Sequence, residues 1–153
     1  MMQLSTQIPL HGTLSITKTT GELLVQKNVI VQLGQYNVLV GLASSIQTSP
    51  LTSLAIGTGG TSDPGGLFPI PATSSQQQLN APLASLPITI SGLSQDSSFI
   101  TVTADVPQSE YNGSAISEAG LFNSVGQMFN YVTFPAIHKL SSFGLAFSWN
   151  IGF

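Results

Sequence analysis

The segment Phe143-Gly-Leu-Ala-Phe-Ser-Trp-Asn-Ile-Gly-Phe153 alternates large apolar residues with small or polar ones without exception. Phe143, Leu145, Phe147, Trp149, Ile151 and Phe153 share one face, and Gly144, Ala146, Ser148, Asn150 and Gly152 share the other. Side chains on a strand point alternately to opposite faces, so the pattern predicts a β-strand with one apolar side. Such a strand must bury that side, either in its own core or against a second subunit. The pattern recurs in Gly12–Lys18. After a turn at Thr19-Thr-Gly21, extended chain is expected over 22–31. Further strands are expected at 51–56, 88–90, 98–106, 115–122 and 127–134, with Asn123-Ser-Val-Gly126 as a hairpin turn.

One segment breaks the two-residue rhythm. From Gln35 to Ile46, apolar residues fall at Val38, Leu39, Leu42, Ala43 and Ile46, the spacing of one helix face. Seven or eight short strands and one short helix predict a mainly β domain, an antiparallel β-sandwich or jelly-roll-like fold over residues 1–153. Residues 57–87 interrupt it. Gly57-Thr-Gly-Gly-Thr-Ser-Asp-Pro-Gly-Gly66 reads as loop, and Pro64, Pro69, Pro71, Pro82 and Pro87 punctuate a long irregular excursion. Its prolines bar it from a central strand, and its leucines and Phe68 give it something to bury, so it is expected to lie across a neighbour, either another subunit or another protein of the same assembly.

Composition narrows the function. Charged residues make up only 6% of the chain, against roughly 25% in a typical soluble domain. Either other protein covers much of the surface, or hydroxyls and amides do the solvating. The first is the preferred reading, and it predicts a homo-oligomer, with a trimer favoured. Three lysines, no arginine and a net charge of −3 argue against nucleic-acid binding. No apolar run approaches the roughly 20 residues of a membrane span. The opening Met-Met-Gln-Leu-Ser-Thr lacks the pattern of a signal peptide, so synthesis in a cytoplasm is expected. Without cysteine there is neither a disulfide nor a thiolate metal site.

Motifs for chemistry are weak. The Gly57-Thr-Gly-Gly run lacks the Lys-Ser/Thr and following helix of a phosphate loop. His11 and His138 are far apart, with no carboxylate at ligand spacing. No Gly-x-Ser-x-Gly elbow is present, and the spacing of Asp96, Asp105, Glu110 and Glu118 selects no acid pair. No catalytic, cofactor-binding or metal-binding residues are expected, and an enzyme is disfavoured. The residue to follow is Glu118. Alternation places Ile116, Glu118 and Gly120 on one face and Ser117, Ala119 and Leu121 on the other. If the first face is inward, the carboxylate needs a partner, for which Lys139 or a cluster of backbone amides would serve.

The order of short motifs carries a resemblance. Lys27-Asn28-Val-Ile-Val and Gly34 precede a short helix and Leu54-Ala-Ile-Gly-Thr-Gly59. After the Pro-rich excursion come Ile116-Ser-Glu-Ala-Gly-Leu-Phe122, Gly126-Gln-Met128, Phe134-Pro-Ala-Ile-His-Lys139 and Phe147-Ser-Trp-Asn-Ile-Gly-Phe153. From about residue 22 to 153 this resembles a group of small bacteriophage virion proteins, found as tail-fibre attachment domains and as head or tail surface proteins. The resemblance implies a non-enzymatic virion structural protein, made in the host cytoplasm and placed in tail or fibre assemblies, or else on the capsid as a decoration protein. Its partners would be its own copies and other virion proteins. Glu118, Lys139, Phe68, Phe147, Trp149, Ile151 and Phe153 are the structural and interface candidates. A receptor- or carbohydrate-binding module, using Tyr111 and Tyr131 on the surface, is the reading from a different class.

Overall fold

The computed structural model describes residues 10–43 and 49–153. Ten strands and one helix follow in the order β1 (His11–Lys18), β2 (Leu23–Lys27), β3 (Val29–Ile30), α1 (Gln32–Ala43), β4 (Leu51–Gly57), β5 (Pro82–Pro87), β6 (Thr89–Ser91), β7 (Phe99–Val106), β8 (Ala115–Asn123), β9 (Met128–His138) and β10 (Leu145–Gly152). They form two five-stranded antiparallel sheets, ordered β2-β1-β10-β7-β6 and β3-β9-β8-β4-β5. The expected sandwich is therefore found, with ten strands among the described residues where seven or eight were expected. No helix among the described residues is long and apolar enough to cross a membrane.

The core fills the space between the sheets. From the first sheet come Leu14, Ile16, Val102, Phe147, Trp149 and Ile151, and from the second Leu54, Ile56, Ala119, Leu121, Val132 and Phe134. The terminal strand is thus buried in the chain's own core. β10 is the middle strand of its sheet, paired with β1 on one side and β7 on the other. Phe147, Trp149 and Ile151 are buried as the alternation predicts, and Trp149 Nε1 donates to Asn28 Oδ1 over 3.1 Å. Phe153 departs from the prediction at 60% exposed. It lies one residue beyond the last ladder pair, Gly152 with Phe99.

The opposite face of that sheet explains part of the chain's low charge. The registers align Val25, Ser15, Ser148, Thr103 and Thr89 in one row across all five strands. The neighbouring row is Lys27, Thr13, Asn150, Thr101 and Ser91. Since the alternate residues point into the core, these rows face outward. Hydroxyls and amides dominate them, and Thr101 Oγ1 donates to Asn150 Oδ1 over 2.9 Å. Half of the surface question is answered by side chains that solvate without charge.

Two expectations are corrected by packing. The excursion is not irregular to its end, because residues 82–87 form β5. That strand is the edge of its sheet, where the missing N–H groups of Pro82 and Pro87 cost no central ladder bond. The helix begins at Gln32, three residues early, and of its expected apolar face only Val38 is half-buried among the described residues. Leu39 and Leu42 are exposed, Ala43 is exposed, and Gly34 is the buried residue of α1. A Cβ at Gly34 would collide with the backbone of Phe129, so the helix sits on β9 through its glycine. Ile46 lies outside the described residues.

Candidate functional site

Glu118 is fully buried, on the face of the second sheet that turns away from the sandwich core. Ile116 joins Ala119 and Leu121 in that core, which corrects the simple alternation. The reason is a break in the β8–β9 ladder. Ile116 pairs with Ile137, yet Glu118 pairs with Thr133, so extra β9 residues, Pro135 among them, bulge opposite Ser117. Ser117 and Glu118 are consequently both free to meet the excursion, which folds back over this face.

The meeting is close. Oε1 of Glu118 accepts from the backbone N–H of Gly59 at 3.0 Å and of Ala81 at 2.7 Å. Oε2 accepts from the backbone N–H of Asn80 at 2.9 Å and from Tyr131 Oη at 2.6 Å. The Gly60 N–H donates to Ser117 Oγ at 2.9 Å. One carboxylate thus ties both ends of the excursion, Gly59 and the Asn80–Ala81 pair, to the middle of β8. The glycines are required by distance, since a Cβ on Gly59 would press on Asn80 and Ala81 and one on Gly60 would enter the Ser117 carbonyl. Beneath the excursion a second apolar cluster of Val31, Leu79, Met128 and Tyr131 excludes water. Burial, then the hydrogen bond and negative charge of Glu118, push the Tyr131 phenol far above its ordinary value.

Lys139, the other expected partner, is elsewhere. It too is fully buried, and its Nζ donates to Gln108 O at 3.0 Å, Asn112 Oδ1 at 2.7 Å and Leu140 O at 3.0 Å. The ammonium group's three hydrogens are matched by three oxygens, and the ring of Phe143 lies 5.6 Å away. Burial pushes the amine below its ordinary value. This cage closes the 107–114 loop on the end of β9, reinforced by Gly113 N to Lys139 O and Lys139 N to Ser114 O. Tyr111 in that loop takes a left-handed φ of 57°, rare for a residue with a side chain.

The remaining candidates are separated. The tip of the excursion carries Leu67 and Phe68, both about two-thirds exposed. It is shaped by Asp63, whose carboxylate accepts from the N–H groups of Leu67 and Phe68 and is held below the usual carboxylate range by them. Phe153 lines an apolar groove of about 390 Å³ with Leu93, Phe99, Phe129 and Ile151 at one end of the sandwich. Among the described residues no three His, Asp or Glu side chains gather as a metal site. Tyr131 is buried, which removes it from the surface role expected in a carbohydrate-binding module. Sequence reasoning missed Tyr131 as a partner of Glu118, and Gln108 and Asn112 as partners of Lys139. Three of the four Glu118 donors are backbone N–H groups, for which side-chain patterns carry no signal.

No family model, curated protein or solved structure matches this chain.

Proposed function

We propose that the chain is a non-enzymatic structural component of a bacteriophage particle, incorporated into tail or fibre assemblies. The observation that carries this reading is the use made of Glu118. The carboxylate that sequence singles out accepts four hydrogen bonds from its own fold. Such a group is occupied with holding a loop in place and has no face open to a substrate. Lys139 is equally committed to its three oxygens. The motif residues that underlie the resemblance to virion proteins, Gly57–Gly59, Glu118 and Lys139, all serve as fasteners of long loops. What this leaves for partners is a contact surface: the Leu67–Phe68 tip, the exposed side of α1 and the hydroxyl-rich sheet face.

The test is direct detection. Particles of the phage that encodes the chain, purified on a density gradient, should contain it by mass spectrometry. Gold-labelled antibody should mark the tail or its fibres. Labelling spread over the capsid would replace the tail assignment with decoration, and absence from washed particles would defeat the virion reading.

A further inference from the structure

The free edge of the first sheet has a definite hydrogen-bonding phase. Lys18 N donates to Glu22 O at 2.9 Å, and Asn28 N donates to Gly12 O at 3.2 Å. These contacts bracket the β1–β2 ladder, in which Ile16 faces Leu24 and Leu14 faces Gln26. Antiparallel pairs alternate between bonded and non-bonded. Leu24 and Gln26 therefore turn their N–H and C=O groups toward β1, while Leu23, Val25 and Lys27 turn theirs outward. β2 is the last strand of its sheet, so among the described residues no strand receives them.

The other three edges are less open. β3 has two residues and β6 three, and β5 has Pro82 and Pro87 at its ends. β2 has five residues and no proline, and its Leu23 and Val25 side chains are 64% and 53% exposed. An edge strand with outward polar backbone and apolar side chains is a template for another strand.

We infer that β2 pairs with β2 of a second copy of this chain, antiparallel about a two-fold axis at Val25. The outward residues are symmetric about Val25. In that register Leu23 faces Lys27 of the other copy and Val25 faces its own equivalent, so every outward N–H and C=O finds a partner. Charge favours the same orientation. Each strand ends in Lys27, and antiparallel pairing keeps the two Lys27 ammonium groups at opposite ends of the shared ladder, whereas parallel pairing would set them side by side. The joined sheets become one of ten strands, with the hydroxyl rows running across the junction. This contact is two-fold, unlike the trimer favoured by composition. It rests on the geometry and side chains of the edge strand and does not require the virion reading.

The experiment uses the full chain in analytical ultracentrifugation with hydrogen exchange. Wild type should sediment as a dimer at micromolar concentration, with the amides of Leu23, Val25 and Lys27 protected. V25K places like charges on the axis and should weaken the dimer by about tenfold or more, while its far-UV circular dichroism stays that of the folded wild type because Val25 is an exposed edge residue. A second variant guards against a misfolded lysine mutant. The chain has no cysteine, so Val25→Cys should give a disulfide-linked dimer on mild oxidation, while Ile90→Cys on the β6 edge should not. A wild type that is monomeric throughout, or a dimer that V25K leaves intact, would overturn the inference. Equal crosslinking of both cysteine variants would do the same.

Discussion

Tyr131 donates its phenol hydrogen to Oε2 of Glu118 over 2.6 Å, from one strand to its neighbour and beneath the excursion. Both side chains are out of water. A hydrogen bond to a carboxylate is short and about twice as strong as a neutral one, and Glu118 collects three more from backbone amides. The consequence is that a polar centre behaves as a core residue: it fixes the path of a loop that apolar packing alone leaves loosely specified.

Glu118→Gln is the sharpest probe of this centre. The amide keeps the shape, but its NH₂ group must face at least one N–H donor, leaving donors opposed in a buried site. Losing a hydrogen bond to a charged group costs on the order of 1.5–3 kcal/mol. For a domain of this size each kcal/mol moves Tm by roughly 2–4 °C. Calorimetry should show a drop of several degrees, and limited proteolysis should find new cuts between 59 and 81. An unchanged melting curve would mean that the four contacts contribute little.

This arrangement was only partly legible in the sequence. β10 could be read residue by residue because one side meets a core and the other meets water, and that contrast is what alternation records. β8 could not. It is covered on both faces, by the facing sheet and by the excursion, so nearly all its residues are buried and the contrast vanishes. The bulge opposite Ser117 then shifts the phase, which no periodicity announces. The helix departs from its pattern for a related reason: the seat of Gly34 on Phe129 and the packing of Leu33 hold α1 with Leu39 and Leu42 left exposed, whereas the apolar stripe predicts a buried face. β5 was hidden by its prolines, which forbid a central strand but permit an edge.

The stability of the fold in alkali should depend on Tyr131. Its folded-state proton is held far more tightly than the ordinary value of 10.0. A group whose pKa is raised by folding contributes its full stability below the unfolded value and loses it as pH climbs toward the folded one. The wild-type Tm should therefore fall above about pH 10, as the unfolded phenol ionises and the folded one cannot. Tyr131→Phe should start from a lower Tm, since Glu118 loses a donor, but decline less steeply over the same range. Parallel curves for the two proteins would assign the alkaline loss to other groups.

Lys139→Met tests the cage around the buried amine. Methionine fills a similar volume and leaves Gln108 O, Asn112 Oδ1 and Leu140 O without their donor. Unsatisfied buried acceptors cost about 1–3 kcal/mol, and the 107–114 loop should exchange its amide hydrogens faster. The pH dependence has the opposite sign to that of Tyr131. The folded amine has a pKa below 10.5, so the unfolded chain binds the proton more tightly and stability rises as pH approaches that value from below. The variant should lack this rise. A variant with the wild-type slope would show that the amine makes no pH-linked contribution.

The terminal strand gives the most severe outcome. Removing 149–153 deletes Trp149 and Ile151, which are buried, and Phe153, which is not. Each fully buried large side chain contributes about 1.5–3 kcal/mol. Because β10 is the middle strand, the cut also strips the ladder from residues 11–14 on one side and from 99–102 on the other. It leaves Asn28 Oδ1 without the indole donor as well. These losses together rival a net stability of about 5–15 kcal/mol, so the truncated chain should be insoluble or unfolded by circular dichroism. Deleting Phe153 alone should leave Tm nearly unchanged, since its side chain stands at the rim of the groove. A soluble 1–148 chain with a native β spectrum would show that β1 and β7 can close the sheet without it, and that the core is held chiefly by the second sheet.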